Sequence, residues 1–262
     1  GAAHVCSGAY EHTLLQQSQG HDFRAFVVQG RAPQQALGVS VRALPGYRRP
    51  ADLRGRRIGV SAPGSSTQVM ASVLLARAGV DAREVSFVGV GTGATAVAAL
   101  RTGRVHALCH ADPIMSLLEH RGEVRLVSDL RTLTAAQAVF GGAMPASCLY
   151  APQAFSHKEP LVAQALTNAI VHALKWLQTA SPADLIKAVP ASYVLGDRAV
   201  YLAAFNRVRE TFSPNGLMPE DGPATALRAL AQAYPHMASP RVSLPRTFTD
   251  DLARKARQKF GV

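Results

Sequence analysis

Cys109-His110-Ala111-Asp112 places a thiol, an imidazole and a carboxylate within four residues. A nucleophilic or metal centre would need these groups to converge on one point. Neighbours at a strand end point in different directions, so this run does not assemble such a centre. Ser, His and Asp occur throughout the chain, but no Gly-x-Ser-x-Gly elbow holds a nucleophile. Cys6, Cys109 and Cys148 are widely spaced, with no CxxC or Cys/His ligand pattern. Cys6 and Cys109 each end a strand-like run and read as buried thiols. No catalytic residue, metal or cofactor is expected. Nucleotide loops are absent too, since neither Gly-x-x-x-x-Gly-Lys nor Gly-x-Gly-x-x-Gly occurs.

The chemistry these residues do support is the binding of an anion. Ile58-Gly-Val-Ser61 reads as a strand, and Ala62-Pro63-Gly64 must turn. Ser65, Ser66 and Thr67 then offer hydroxyls to cap a helix. Val69, Met70, Val73 and Leu74 follow at helical spacing, and Gly79 stops the helix. A helix beginning after a strand's carboxyl end exposes free N–H groups and a positive dipole end, which together attract negative charge.

Strand 85–88 leads through Gly89-Val-Gly-Thr-Gly93 into helix 94–101, with Thr92 as the N-cap. Strand 105–109 leads through His110-Ala-Asp112-Pro113 into helix 114–119, with Asp112 as N-cap and Pro113 as the first helical residue. Residues 124–127 form a fourth strand. The alternation predicts right-handed βαβ units and a parallel sheet, with three turns on the edge where such sheets bind ligands.

These elements need a scaffold, and 262 residues with 48% hydrophobic content can bury a sizeable core. No apolar run approaches the ~20 residues of a membrane helix. Residues 1–20 lack a signal-peptide layout, so a secreted chain would be a mature or trimmed form. The net charge of +11 is mostly arginine and dispersed. Aromatic residues do not interleave with the basic clusters, so the charge reads as solvated surface and no nucleic-acid partner is expected.

Strand candidates at 3–6, 23–29 and 37–41 make residues 1–43 the first part of lobe one. Residues 54–137 form an inserted α/β lobe two, with connectors at 45–50 and 138–150. Residues 147–262 return to lobe one as helices, among them 161–178, 185–189, 197–212, 223–234 and 248–260. Two crossovers imply two lobes on a two-strand hinge.

The stretches DLRGRRIGVSAPGSST, VGVGTGATAVAALRTGRVHAL, ADPIMSLLE and ALKWLQ resemble the substrate-binding proteins of bacterial ABC importers. The branch is that of nitrate, sulfonate and taurine, which also holds binders of thiamine-precursor pyrimidines. SGAYEHT resembles a binding turn of that family's first lobe. The resemblance implies an α/β, two-lobed periplasmic-binding-protein fold (type II), with only six residues before that turn, so that lobe one is truncated or reduced at its N-terminus. It implies a periplasmic monomer that captures a small anionic or polar organic solute and delivers it to an ABC permease of the inner membrane. The solute class is sulfonate-, taurine- or carboxylate-like. A pyrimidine binder or pyrimidine-synthesis enzyme, and a regulator's effector domain, are the alternatives. The implied contacts are Ser7, Gly8, Ala9, Tyr10 and Glu11 from lobe one. Lobe two supplies Ser61, Gly64, Ser65, Ser66, Thr67, Thr92, Gly93, Ala94 and Asp112. Tyr10 is either a stacking platform or core.

Overall fold

The computed structural model describes residues 3–238 and 242–262. In chain order the first elements are β1 (Cys6–Ala9), α1 (Glu11–Ser18), β2 (Phe23–Val28), β3 (Gln35–Ser40), β4 (Arg57–Val60) and α2 (Ser66–Arg77). Next come β5 (Ser86–Gly89), α3 (Ala94–Arg101), β6 (Ala107–Ala111), α4 (Ile114–His120), β7 (Val124–Asp129), α5 (Leu133–Phe140) and β8 (Ser147–Pro152). The remainder is helical: α6 (Gln153–Lys158), α7 (Pro160–Thr179), α8 (Pro182–Ala188), α9 (Ala191–Val194), α10 (Arg198–Val208), α11 (Gly222–Ala233), α12 (Leu244–Thr247) and α13 (Asp251–Phe260). The chain divides into two compact units, 1–33 with 136–180 and 209–262, and 34–135 with 181–208.

The first unit holds a three-stranded antiparallel sheet in the order β1-β8-β2. Its core joins Phe26, Val27, Leu149, Val171 and Ala256, so α7 and α13 pack on the sheet. Each fully buried large apolar side chain contributes about 1.5–3 kcal/mol relative to an exposed one. The end of α5 and most of the central strand, β8, lie in 138–150, where the sequence suggests only a connector. Ser147–Pro152 is a short apolar run after a Gly/Pro-containing segment, and its strand state comes from pairing with β1 and β2 on both sides. Cys6, expected to be buried, is exposed on the edge strand, whereas Cys109 and Cys148 are buried free thiols.

The second unit holds a five-stranded sheet in the order β5-β4-β6-β3-β7. β4 runs parallel to β5 and β6, as the βαβ pattern predicts. The sheet is nevertheless mixed, because β3 inserts between β6 and β7 and is antiparallel to both. β3 was expected in lobe one. Every residue of β3 is buried, and it completes this sheet by hydrogen-bonding two strands instead of one.

Helices α8 to α10 also belong to this unit rather than to lobe one. α10 packs on α4 and puts Val200 into the core of Val97, Leu100, Leu108, Ile114 and Leu118. The chain therefore passes between units four times, near 33, 135, 180 and 208, and the lobe boundaries expected at 43, 54, 137 and 147 move accordingly.

Candidate functional site

The parallel strands of the second unit all point their carboxyl ends to one edge of the sheet. The turns after β4, β5 and β6 therefore lie together there, as expected. The antiparallel β3 brings its first residue to the same edge, where Gln35 pairs with Ala111. β7 ends there as well, with Asp129 opposite Ala36.

The turn into α2 is held by a compact hydroxyl cluster. Thr67 Oγ1 accepts from the Ser61 N–H at 2.8 Å and bonds the hydroxyls of Ser61 and Ser65 at 3.0 and 2.8 Å. The Gly64 N–H donates to Gln68 Oε1 at 2.8 Å, and Gly64 sits at φ +75°, a conformation natural to glycine. Ser65 is the N-cap residue with extended backbone, but its hydroxyl goes to the cluster rather than to the helix. The first turn of α2 therefore keeps main-chain N–H groups, at Thr67 and Gln68, without an intrahelical acceptor.

Thr67 is 6% exposed, and its hydroxyl is saturated by those internal bonds. It clamps the turn from inside the cluster. Thr67→Val should accordingly cost stability, about 1–3 kcal/mol, because the Ser61 N–H loses its acceptor at a half-buried position. Thermal melting reads this; an unchanged melting temperature would mean that the cluster does not hold the turn.

Ser66 Oγ accepts from Gln35 Nε2 at 3.0 Å. Gln35 is 6% exposed, and its Oε1 is buried with no hydrogen-bond partner among the described residues. A buried amide oxygen with no protein partner beside a helix start leaves hydrogen-bonding capacity that water or a solute can take up. Gln35 was not singled out in the sequence, since only the 31-residue contact with Ser66 reveals it.

The second turn is held by His110, which is 4% exposed. Its Nδ1 accepts from the Ala111 N–H at 3.0 Å, so Nε2 carries the proton and donates to the Gly91 carbonyl at 2.9 Å. Burial pushes its pKa down, which keeps the ring neutral at neutral pH. Gly93, not Thr92, is the N-cap of α3; Thr92 and Ala94 are exposed. Among the described residues no side chain caps α3; the Thr95 hydroxyl instead donates back to the Val90 carbonyl at 2.7 Å.

The third turn is tied into a buried ionic network. Pro113, not Asp112, is the N-cap position of α4. Asp112 Oδ1 accepts from the Ser116 N–H at 2.8 Å and from Arg131 Nη1 at 3.3 Å. Its Oδ2 is buried and without a partner among the described residues. Arg131 is fully buried and forks onto Asp129 at 2.7 and 2.8 Å, and it also bonds Glu119 at 2.9 Å. Arg207 bonds the same Glu119 oxygen at 2.7 Å. The guanidinium of Arg131 is thus balanced by carboxylates and is not a free cation for a solute. Arg131 was not anticipated from the sequence, because its three carboxylate partners lie on separate elements.

In the first unit, Ser7, Gly8 and Ala9 lie in β1 rather than in the expected turn, because they pair with β8; Tyr10 is the junction and Glu11 opens α1. Ser7 Oγ donates to Gln29 Oε1 at 3.3 Å and is exposed. Gly8 leaves room for Tyr150, whose ring would lie 2.9 Å from a Cβ there. Ala9 is buried. Tyr10 is core: it is 0% exposed, and its hydroxyl pairs with Thr247 Oγ1 at 2.6 Å, so it offers no stacking face. Glu11 is 1% exposed, which removes its side chain from the surface.

Comparison with known structures places this geometry in a class. A Bordetella bronchiseptica RB50 protein of known structure is 51% identical, with a TM-score of 0.97 over 100% of this chain and 82% of that chain. The alkanesulfonate-binding protein SsuA from Xanthomonas axonopodis pv. citri, bound to MOPS, is 20% identical, with a TM-score of 0.65 over 95% of this chain and 81% of its own. The periplasmic nitrate-binding protein NrtA from Synechocystis PCC 6803 is 13% identical, with a TM-score of 0.66 over 99% of this chain and 74% of its own. The fold is that of the periplasmic binding proteins. A family model described as NMT1/THI5 like matches residues 1–183, and the chain belongs to that family. No curated protein matches it.

Proposed function

We propose that this protein is the solute-binding component of an ABC importer and captures a small organic anion at the carboxyl edge of the second unit's sheet. The observation that carries this reading is the first turn of α2. Its amides lack intrahelical acceptors, a hydroxyl cluster holds the turn rigid, and the unpaired Gln35 oxygen lies beside it. Such an arrangement suits a sulfonate or carboxylate, whose oxygens accept from the amides while a donor elsewhere on the solute meets Gln35. Binding proteins for alkanesulfonates and nitrate share the fold, which supports the same class of ligand here and a periplasmic location with a membrane permease as partner.

The test is a thermal-shift and calorimetric panel on protein stripped of ligand by unfolding and refolding. The panel comprises alkanesulfonates, taurine, short carboxylates, nitrate and an aminopyrimidine. An organic anion at a hundred times its Kd should stabilise the protein by about 2.7 kcal/mol. That corresponds to a melting shift of roughly 5–10 °C for a chain of this size. Silence from every anion with a response to the aminopyrimidine would replace this reading with the pyrimidine one.

A further inference from the structure

The opposite edge of the second unit's sheet, where β4 to β7 begin and β3 ends, is strongly basic. Four carboxylates there are each matched by an arginine: Asp52 by Arg49, Asp81 by Arg83, Glu84 by Arg54 and Glu123 by Arg101. Arg42, Arg56, Arg57, Arg104, Arg121 and Arg125 are also exposed there and are in no ion pair among the described residues. Hydrogen bonds join these loops into one surface. Arg57 donates to the Arg104 carbonyl at 2.6 Å, Arg125 to that of Tyr47 at 2.6 Å, and Arg42 to that of Arg101 at 3.5 Å. The positive potential acts locally: after burial, the charges of Arg57 and Arg56 push the His106 pKa down.

A groove of about 440 Å³ opens in this surface, lined by Ser40, Val41, Arg42, Leu100, Arg101 and Glu123. Val41 is 42% exposed, so the groove sets an apolar wall beside guanidinium groups. Tyr47, whose carbonyl accepts from Arg125, is 6% exposed and gives no platform for stacked bases.

We propose that this edge is a docking surface for an anionic phospholipid bilayer, with the groove seating a headgroup phosphodiester and the start of its acyl chains. Guanidinium forks suit phosphate oxygens, and a broad unpaired positive face suits a planar array of them. The surface lies at the edge opposite the anion site and stands independently of that assignment.

Co-sedimentation with vesicles of phosphatidylcholine alone, and of phosphatidylcholine mixed with phosphatidylglycerol, tests it. Binding is expected to the mixed vesicles only and to weaken as salt rises. The triple variant Arg56→Gln, Arg104→Gln, Arg121→Gln should lose about a hundredfold in vesicle affinity, at roughly fivefold per arginine. A control triple in the first unit, Lys158→Gln, Arg254→Gln, Lys255→Gln, removes the same charge and should bind as the parent does. Circular dichroism checks that both variants are folded. Equal loss in the control would reduce the effect to net charge and overturn the proposal. So would equal binding to both kinds of vesicle, or tighter binding to duplex DNA than to mixed vesicles at the same ionic strength.

Discussion

Replacing Arg131 with methionine is expected to cost about 3–5 kcal/mol of stability, because it removes one partner of a buried ionic cluster and strands the others. Arg131 is fully buried and bonds Asp129, Asp112, Glu119 and the Ser116 hydroxyl. The side chain of Asp112 is 7% exposed, so water cannot replace the guanidinium there. Chemical denaturation measures the loss, and a change below about 1 kcal/mol would mean that the cluster is worth no more than a surface pair. Adding Asp112→Asn and Asp129→Asn to the methionine variant should recover part of it, since the stranded charges are then gone.

The same cluster predicts a pH dependence with a definite sign. Burial would raise the Asp129 carboxyl pKa, but the hydrogen bonds and charge of Arg131 outweigh burial and hold it below the usual range. The Glu119 carboxyl is lowered against burial by Arg207 and Arg131 in the same way. A carboxylate with a depressed folded-state pKa contributes fully above its unfolded value, about 4, and loses that contribution as the pH falls through the folded value. The parent should therefore lose stability below about pH 4 more steeply than Arg131→Met does.

Ser66→Asp is expected to separate stability from binding. A carboxylate on the first turn of α2 complements the helix dipole and should stabilise by about 0.3–1 kcal/mol. It can still accept from Gln35 Nε2, which reaches Ser66 Oγ at 3.0 Å in the parent. Any anion bound to the amides of that turn would then face a fixed negative charge. Like charges so placed cost several kcal/mol, so affinity should fall by at least about a hundredfold. Calorimetry with whichever anion the panel identifies, paired with a melting curve, reads both signs at once. A variant that melts at or above the parent and binds the anion as tightly would show that the anion sits elsewhere.

Several features were legible from the chain because their causes are local. Pro63-Gly64 turns, the hydroxyls of residues 65–67 gather at a helix start, and apolar spacing runs through α2. The three turns share an edge because βαβ units force parallel strands. The long helix α7 announces itself by its apolar stripe.

What the tertiary structure decided depends on partners far along the chain. β3 and β8 are short apolar runs whose local signal is the same in either unit, and only sheet pairing assigns them. Tyr10 could stack or pack by its chemistry, and Thr247, 237 residues away, settles it as core. Thr67 has the hydroxyl of a ligand contact, yet the fold spends it on Ser61 and Ser65. Gln35 and Arg131 carry no motif at all. Their roles come from the insertion of β3 between β6 and β7, which sets an amide beside the start of α2 and a guanidinium among carboxylates of three elements. Local physics selects turns and helices, whereas the satisfaction of buried polar groups is decided only when distant strands meet.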